Sequence, residues 1–474
     1  MTELVITKKH LSRRDKLMVA IILLGGFIAI LNQTVMSPAL PKIMREFAIT
    51  PAVGQWLTSI FLLVNGLMIP VAAYLINRFS TRQLFIAAML AFTAGTTLAA
   101  LSVSFPMLLA ARILQAVGAG IQLPFTQVMI MLIFPKERRG FALGISGIVI
   151  GLAPAAGPTV AGWLVDEFGW KAIFVGIAPL GVLVMIFAAV FLRNLNVASK
   201  SHLDILSVAL STLGFGGVLF GFSAAGGMGW LHPFTIAPII IGGAAIVFFI
   251  RRQLKSKQPL LNLRVLRNAV FSTSTIISSV VASGLTFAAV LTPIFLQDVL
   301  GKSALHSGLI LMPGAIAMAV ISPVSGILFD RFGPRALSII GLAIIVVGSA
   351  MLAFLSLSTP SWYVLVAYTF RMAGISLVNM PVNTWGINAL PGAMIAHGNS
   401  INNTARQVAG SIGTAVLVTV MMLVSASHGG MSAAASAAGI DAAFAGGTII
   451  TFSAFLLAVI RVGRIKRPHN QSQE

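Results

Sequence analysis

Residues 326–335 read Gly-Ile-Leu-Phe-Asp-Arg-Phe-Gly-Pro-Arg, and residues 73–82 read Ala-Tyr-Leu-Ile-Asn-Arg-Phe-Ser-Thr-Arg. Each stretch lies between two long apolar segments, and the two central arginines, Arg78 and Arg331, are 253 residues apart. A second pair has nearly the same spacing, because Arg112 and Arg371 lie inside apolar segments 259 residues apart. The chain is therefore predicted to consist of two matching halves, an arrangement common in proteins that move solutes across membranes.

The composition of the chain is that of a membrane protein. Of the 474 residues, 57% are hydrophobic and only 9% are charged, whereas about 25% of the residues in soluble domains are charged. So few charges cannot cover a soluble protein of this length, and the bilayer is the expected solvent. The net charge of +20 does not indicate nucleic-acid binding, because the basic residues lie singly or in short runs between apolar segments. The absence of cysteine excludes disulfides and thiolate metal sites.

Segments of about 20 mostly apolar residues are long enough to cross a bilayer as helices. The chain contains fourteen such segments, so we predict an all-α, polytopic membrane protein. The predicted spans cover residues 17–38, 54–76, 83–103, 106–130, 141–164, 171–192, 204–225, 234–251, 269–297, 306–328, 335–356, 361–386, 406–427 and 442–461. The first span follows a basic leader, residues 1–16, and is too long for the core of a signal peptide, so we expect it to be retained.

The basic residues predict the orientation of the chain. If both termini are cytoplasmic, 25 of the 31 Lys and Arg residues lie on the inner side and four lie outside, while Arg112 and Arg371 lie inside spans. This asymmetry follows the positive-inside rule and requires an even number of spans. The outer loop at 428–441 is rich in Gly, Ala and Ser, so we expect a mobile linker there.

The spans and the repeat together predict three regions. Residues 1–195 form an N-terminal six-helix bundle, and residues 196–262 form two inserted helices with a basic cytoplasmic loop. Residues 263–474 form a C-terminal six-helix bundle with a short cytoplasmic tail. In such an architecture the substrate site lies between the halves, near the middle of the membrane.

Three further motifs accompany the repeated loop. Span four contains Arg112-Ile-Leu-Gln115-Ala-Val-Gly118-Ala-Gly120. Span five contains Gly144, Ala153, Gly157-Pro158 and Ala161-Gly162. Span one contains Leu31-Asn-Gln-Thr-Val-Met-Ser-Pro-Ala-Leu-Pro41. With these motifs the chain resembles the major facilitator superfamily, and within it the fourteen-span drug:proton antiporters. The lincomycin-resistance exporters of Gram-positive bacteria are especially similar. The resemblance extends over nearly the whole chain.

The repeated loops are candidate gates. In the family the loop reads G-x-L-a-D-r-x-G-r-k; the second copy is nearly intact, whereas Ala, Asn and Ser replace Gly, Asp and Gly in the first. An Asp beside arginines at a helix end can latch neighbouring helices in one state and release them in another. The alternative is a solvated loop whose charges only set the topology. The candidate gating residues are Asn77, Arg78, Arg82, Asp330, Arg331 and Arg335.

The resemblance also implies a direction of transport. The antiporter signature G-x8-G-x3-G-P-x2-G-G is matched at Gly144, Gly157, Pro158 and Gly162, with Ala at two Gly positions. Glycines permit close helix contact, and a proline weakens the helix so that it can bend. In the superfamily this signature accompanies exporters rather than importers.

Proton coupling is likewise implied by the resemblance, with the proton gradient as the energy source and no cofactor. The sequence does not display the proton carrier, because Asn32 stands where most members have an acid, and an amide cannot take up and release a proton. No Asp or Glu lies at the middle of a predicted span. Asp298 at the end of span nine and Asp204 at the start of span seven are the nearest candidates.

The polar residues inside the predicted spans are neutral or cationic. Each costs free energy in hydrocarbon unless it has a partner, so we expect many of them to line one cavity or to join helices. The candidate substrate and coupling residues are Asn32, Gln33, Asn65, Arg112, Gln115, Gln122, Gln127, Arg371, Asn379 and Asn383. Arg112 is tied to proton coupling in the family, although near the outer end of its span it could instead snorkel to the surface.

These observations predict a secondary multidrug exporter in a bacterial cell membrane. We expect it to transport small amphipathic substrates and to act as a monomer. Because the cavity has two arginines and no central acid, neutral or anionic substrates are expected, such as lincosamide-like antibiotics, bile acids or fatty acids. A solute importer or facilitator on the same fold is the alternative. The sequence has no HExxH motif or nucleophile elbow, so neither an enzyme nor a metal site is expected.

Overall fold

The structure is a computed structural model that describes residues 12–49, 51–54, 56–135, 138–195, 204–256, 259–302, 304–430 and 432–463. Residues 1–11 of the predicted basic leader lie outside this set. Within it the chain forms α-helices and no strand, which confirms the all-α prediction. The helices are α1 (Arg13–Thr34), α2 (Met36–Glu46), α3 (Pro51–Gly54), α4 (Trp56–Arg78), α5 (Thr81–Ala100), α6 (Phe105–Ile133), α7 (Arg139–Phe168), α8 (Lys171–Phe191), α9 (Ile205–Met228), α10 (Pro233–Lys255), α11 (Ala269–Ile294), α12 (Ala304–Phe332), α13 (Pro334–Met351), α14 (Ser361–Asn388), α15 (Ile395–Ser427) and α16 (Ala433–Arg461).

Thirteen helices among the described residues are long and apolar enough to cross a membrane. The predicted fifth span lies in α7, for which the described residues give a shorter apolar stretch at Arg139–Ala153. The chain is therefore a multi-pass membrane protein, and the number of fourteen spans stays a prediction.

The surface and the interior of the bundle have the polarity expected in lipid. Ile240 and Ile449 are 64% and 71% exposed, whereas Arg112 and Arg371 are fully buried. A soluble protein would place these residue types the other way round. Apolar side chains therefore face the surroundings, and polar side chains lie where other helices can satisfy them.

Two pairs of helices make the most extensive contacts between the N-terminal and C-terminal parts of the bundle. α7 packs along α12, and α4 packs against α15. The helices α9 and α10 pack on each other, and α9 also contacts α4 and α15. The inserted helices thus lie beside the α4–α15 pair.

The first span ends earlier than predicted, and a helix that we did not predict follows it. α1 ends at Thr34, and α2 begins at Met36. Pro38 has no backbone N–H, so it cannot donate the hydrogen bond to Thr34 that would extend α1. Lys42 of α2 lies 3.4 Å from the Asp166 carboxylate near the end of α7, which ties this unpredicted helix to the N-terminal half.

The prediction for span thirteen was wrong at its start. The span was expected at 406–427, but α15 begins at Ile395. The sequence between these points is rich in amides, and its low hydropathy resembles that of a loop. Asn402 and Asn403 are nevertheless buried, because they donate hydrogen bonds to Asn383 and Gln127 of other helices. Arg406, which we assigned to an inner loop, therefore lies inside the bundle.

The mobile linker predicted at 428–441 was also wrong. α16 begins at Ala433, and the Ser432 hydroxyl caps it by accepting a hydrogen bond from the backbone N–H of Ala435 at 3.1 Å. Alanine has the highest helix propensity, so the Ala-rich composition favours a helix here. Asp441 lies within α16 and accepts a hydrogen bond from the backbone N–H of Leu355 at 2.8 Å.

Candidate functional site

A cavity of about 170 Å³ lies between the two halves of the bundle. Side chains of α1, α4, α6 and α7 line it on one side, and side chains of α11 and α15 line it on the other. Three of the predicted cavity residues, Gln33, Asn65 and Gln122, are in its wall. The structure thus places part of the predicted set at the junction of the halves.

Six polar residues of the cavity wall were not predicted from the sequence. Three of them carry hydroxyl groups: Thr126, Ser146 and Thr286. The other three carry an amide or a guanidinium group. Asn403, Arg406 and Gln407 all lie on α15, in or beside the stretch that was taken for a loop. The repeat carried a signal that could have found them, because Pro135 and Pro391 precede α7 and α15 and are 256 residues apart. α7 begins at Arg139, and adding the same 256 residues places the start of α15 at residue 395.

Two other predicted amides, Gln127 and Asn383, join helices and are not in the cavity wall. Asn403 Nδ2 donates a hydrogen bond to Gln127 Oε1 at 2.7 Å, which links α15 to α6 across the two halves. Asn402 Nδ2 donates to Asn383 Oδ1 at 2.8 Å, which links α15 to α14. Asn379 is buried on α14 outside the cavity wall.

Arg112 forms the centre of a buried polar cluster in the N-terminal half. Its Nε donates to the Leu57 carbonyl at 3.1 Å, and its Nη1 donates to Asn32 Oδ1 at 3.1 Å and to Gln115 Oε1 at 2.9 Å. The Phe61 ring lies 4.2 Å from the guanidinium, within the range of cation–π attraction. Arg112 therefore connects α6 to α1 and α4 and does not snorkel to the surface.

Arg371 occupies the corresponding place in the C-terminal half. Its Nε donates to Ser349 Oγ at 2.9 Å and its Nη2 donates to the Gly284 carbonyl at 2.5 Å. In the N-terminal cluster, Gln115 Nε2 donates to Thr96 Oγ1 at 3.1 Å. Thr96 and Ser349 are 253 residues apart, the same spacing as the repeated loops, so the two clusters are related by the internal repeat.

Asp330 connects the two halves at the predicted cytoplasmic end. Its Oδ1 and Oδ2 accept hydrogen bonds from the backbone N–H groups of Gly140 and Phe141, both at 2.9 Å. These N–H groups belong to the first turn of α7, whose positive dipole end favours a carboxylate. Arg139 adds a hydrogen bond to Asn388 Oδ1 at 3.1 Å. The predicted latch residue therefore contacts the opposite half.

The degenerate first copy of the loop makes a weaker contact. Asn77 Nδ2 lies 3.5 Å from His397 Nε2 on α15, and His397 Nδ1 accepts a hydrogen bond from the backbone N–H of Asn262 at 3.4 Å. Both copies of the loop thus lie against the first turn of a helix from the other half. An amide carries no charge for the dipole of α15, so this contact lacks the charge assistance available to Asp330.

The arginines of the two loops lie beside these contacts. The Arg78 and Arg331 guanidinium groups lie 6.0 Å and 5.2 Å from the rings of the phenylalanines that follow them. Arg82 donates its backbone N–H to Asn194 Oδ1 at 3.2 Å, and the Arg335 side chain lies beside Gly463. Their roles as gating residues stay predictions.

The glycines of the antiporter signature lie at helix contacts of α7. A Cβ at Gly144 would lie 2.6 Å from the Ser322 carbonyl oxygen of α12, and a Cβ at Gly157 would meet the Thr34 hydroxyl of α1. Gly162 has open space around it. Pro158 lies within α7. Two of the three glycines therefore permit close approach, one of them between the two halves.

The two candidate proton carriers lie away from the cavity. Asp298 is exposed, in the single π-helical turn Phe295–Val299 that follows α11. Asp204 caps α9 and accepts hydrogen bonds from Arg252 Nε at 2.8 Å and Nη2 at 3.0 Å. These hydrogen bonds from Arg252 lower the pKa of Asp204 to about 2, so its carboxylate stays ionised at physiological pH. No cluster of His, Asp or Glu able to hold a metal occurs among the described residues.

Helices from both ends of the chain around a central cavity form an architecture that is common among membrane transporters. The sequence pattern described as Major Facilitator Superfamily matches residues 22–206 and again residues 198–414. The chain belongs to the major facilitator superfamily.

Known relatives give the same class of protein. The chain is 44% identical to the uncharacterized MFS-type transporter YcnB of Bacillus subtilis (strain 168), over 96% of each chain. It is 39% identical to the lincomycin resistance protein LmrB of Listeria monocytogenes, over 85% of this chain and 86% of the relative. The crystal structure of the human organic anion transporter MFSD10 has the same fold, with a TM-score of 0.65 and 15% identity over 94% of this chain and 99% of that chain. These relatives are transporters and not enzymes.

Proposed function

We propose that the protein exports neutral or anionic amphipathic molecules from the bacterial cytoplasm by alternating access, in exchange for protons. Lincosamide-like antibiotics, bile acids and fatty acids are the candidate substrates. The proposal places a fourteen-span monomer in the cell membrane, with both termini in the cytoplasm.

The observation that carries the proposal is the composition of the cavity wall. It combines aliphatic side chains such as Ile30 and Leu123 with amides and the guanidinium of Arg406. Its described residues include no Asp or Glu. A cationic substrate would lose its hydration beside a positive charge, with no carboxylate to compensate the loss. An anionic substrate would be compensated by the guanidinium of Arg406, and a neutral substrate has no charge to desolvate.

The contacts at the predicted cytoplasmic end support alternating access. Asp330 and Asn77 each form hydrogen bonds or close polar contacts with a helix of the opposite half. Such contacts can be broken and remade as one half rocks against the other, which opens the cavity to the cytoplasm.

Two observations support export over import. The signature around Gly144 and Gly157 resembles that of the superfamily's exporters, and both glycines lie at tight helix contacts. The chain is also similar to the lincomycin resistance protein of Listeria monocytogenes, and resistance is a natural result of efflux. A solute importer on the same fold is the competing function.

The energy source has two candidates. Exchange for protons is implied by the resemblance to the drug:proton antiporters, but Asp298 and Asp204 both lie away from the cavity wall. For an anionic substrate, the membrane potential is a second candidate, because an inside-negative potential favours anion efflux by about 2.3 kcal/mol per charge per 100 mV.

Transport into inside-out membrane vesicles tests the proposal. With the vesicle interior made acidic, we expect uptake of lincomycin and cholate but not of a quaternary ammonium dye. With a pH gradient absent and the interior made positive, uptake of cholate alone would identify the potential as the energy source. Uptake seen only in right-side-out vesicles would favour the importer, and uptake of the dye alone would contradict the proposed substrate class.

A further inference from the structure

Arg406 is partly exposed, in contrast to the two fully buried arginines of the bundle. Arg112 and Arg371 are held by hydrogen bonds to carbonyl, amide and hydroxyl oxygens. Arg406 lines the central cavity, and within the described ranges it makes no hydrogen bond or ion pair. It is also the one charged side chain in the described cavity wall.

An arginine in this position has a high energetic cost. A guanidinium away from bulk water loses hydration, and it normally recovers the loss through a paired anion and several hydrogen bonds. Arg112 recovers it from neighbouring oxygens, but the described surroundings of Arg406 supply none of these bonds. The five N–H donors of Arg406 are therefore available to a molecule in the cavity.

The opposite wall of the cavity offers further hydrogen-bonding groups. Both polar atoms of the Gln122 side-chain amide are buried without a partner among the described residues. The same is true of the hydroxyl groups of Thr126 and Ser146. All three residues line the cavity, and they belong to α6 and α7 of the N-terminal half. Buried polar groups usually have partners, so these three side chains are candidates to bind a polar molecule in the cavity.

We propose that this cavity binds the carboxylate of an anionic amphiphile, with Arg406 as the anchoring residue. The planar guanidinium pairs with a carboxylate through two parallel hydrogen bonds. Gln122, Thr126 and Ser146 donate further hydrogen bonds from the other half. The inference rests on the proposed function and specifies how the cavity binds the anionic members of its substrate class.

The aliphatic part of the ligand has a place in the same cavity. Leu23, Ile30, Ile69, Leu123 and Leu285 form the apolar part of the wall. The cavity of about 170 Å³ is smaller than the roughly 300–1,000 Å³ of sites for drug-sized ligands. It therefore accommodates the head group and its nearest carbons, and the rest of the ligand extends into space that opens when the halves separate.

The position of the site couples binding to the movement of the halves. Arg406 belongs to the C-terminal half, whereas Gln122, Thr126 and Ser146 belong to the N-terminal half. A carboxylate bound by both walls bridges them, so its affinity depends on how closely the halves approach each other. A neutral amphiphile lacks the charge that engages Arg406.

Equilibrium binding to the full chain in lipid nanodiscs tests this inference. The probes are radiolabelled cholate and its uncharged amide, and the variants are Arg406→Gln, Arg406→Lys and Arg461→Gln. The last variant removes a positive charge at the exposed end of α16 and is the matched control. We expect Arg406→Gln to raise the Kd of cholate at least tenfold, Arg406→Lys to raise it less, and Arg461→Gln to leave it unchanged. The Kd of the amide should be the same in all four proteins.

Chemical rescue provides a second test in case the Arg406→Gln variant does not fold. The chain contains no cysteine, so Arg406→Cys provides a single thiol. Modification with a cationic methanethiosulfonate should restore cholate binding, and a neutral reagent of similar size should not. Equal rescue by both reagents, or equal affinity of the wild-type protein for cholate and its amide, would overturn the carboxylate site.

The proposed function and the carboxylate site fail in different ways. If wild-type vesicles transport lincomycin but Arg406→Gln leaves the Kd of cholate unchanged, the proposed export function stands and the carboxylate site is wrong. If no probe is moved in either orientation of the vesicles, the transport proposal itself is wrong.

Discussion

The carboxylate of Asp330 in the C-terminal half accepts a hydrogen bond of 2.9 Å from the backbone N–H of Gly140 in the N-terminal half. A second bond of the same length comes from Phe141. The charge of one half thus caps a helix of the other. A helix cap of this kind contributes about 0.5–2 kcal/mol, and here that free energy stabilises the closed contact between the halves.

Replacing Asp330 should open the predicted cytoplasmic end. Asp330→Ala removes both acceptors, and a loss of about 0.5–2 kcal/mol shifts the closed–open equilibrium roughly 2- to 30-fold. Asp330→Asn retains one acceptor and should have a smaller effect. Because the chain has no cysteine, spin labels at Phe79→Cys and Ala336→Cys can report the distance across this end. Arg14→Gln, at an exposed position at the start of α1, is the control. An unchanged distance in Asp330→Ala would contradict the latch.

A methyl group at Gly326 should separate α7 from α12. A Cβ there would collide with the Gly140 carbonyl oxygen and lie 2.8 Å from Phe141 Cα, and backbone atoms cannot move aside as a flexible side chain can. We expect Gly326→Ala to lower transport and the midpoint temperature of unfolding. Gly308→Ala on the same helix is the matched control, because a Cβ at Gly308 meets nothing within 4 Å. Equal effects of the two substitutions would show that the close approach is not the cause.

Arg112→Ala should abolish transport without preventing membrane insertion. The substitution removes hydrogen bonds to Leu57, Asn32 and Gln115 that join three helices. A hydrogen bond to a charged group contributes about 1.5–3 kcal/mol, so the midpoint temperature should fall as well. Efflux and thermal unfolding of the purified protein measure both effects. The exposed pair of Arg193 and Asp15 offers a control, since Arg193→Gln should cost less than about 1 kcal/mol. Near-normal efflux by Arg112→Ala would remove this residue from the mechanism.

Asp204→Asn should leave proton-driven transport unchanged. The hydrogen bonds from Arg252 lower the pKa of Asp204 from 3.8 to about 2. A lowered pKa in the folded state means that the carboxylate stabilises the fold above the unfolded value and stops doing so as pH falls through the folded value. The stability difference between the wild type and Asp204→Asn should therefore be constant above pH ~4 and vanish towards pH ~2.

Thermal unfolding across this pH range measures the difference, with the exposed Asp298→Asn as the control. A loss of the pH-gradient dependence of efflux in Asp204→Asn would instead identify Asp204 as the proton carrier.

The apolar helices and the buried arginines could be predicted from the sequence, because hydropathy and the internal repeat reveal them. A single arginine inside an apolar segment is conspicuous, so Arg112 and Arg371 were predicted as residues of the substrate and coupling cavity. The structure gives both of them hydrogen-bond partners and places neither in the cavity wall. The helix boundaries were missed where the interior is polar. Asn402 and Asn403 have the low hydropathy that is typical of loop residues. They can lie in a helix inside the bundle because they donate hydrogen bonds to Asn383 and Gln127.

Contacts between the halves could be predicted in kind but not in detail. The loop motif indicated that Asp330 would latch a neighbouring helix, yet the sequence could not identify the Gly140 and Phe141 N–H groups as its partners. That choice depends on which helix ends meet after packing. The same limit explains Arg406, since its lack of a described partner becomes visible only when every neighbouring side chain has a position.

The hydrogen bond from Asn403 to Gln127 has a consequence for how the protein is made. The first turns of α15 are too polar to partition into lipid by themselves, and Gln127 of the N-terminal half is synthesised 276 residues earlier. Nascent chains should therefore complete the insertion of this late helix against an already assembled first half. A C-terminal fragment expressed alone should be cleared by membrane quality-control proteases, and co-expression of the missing half should rescue it.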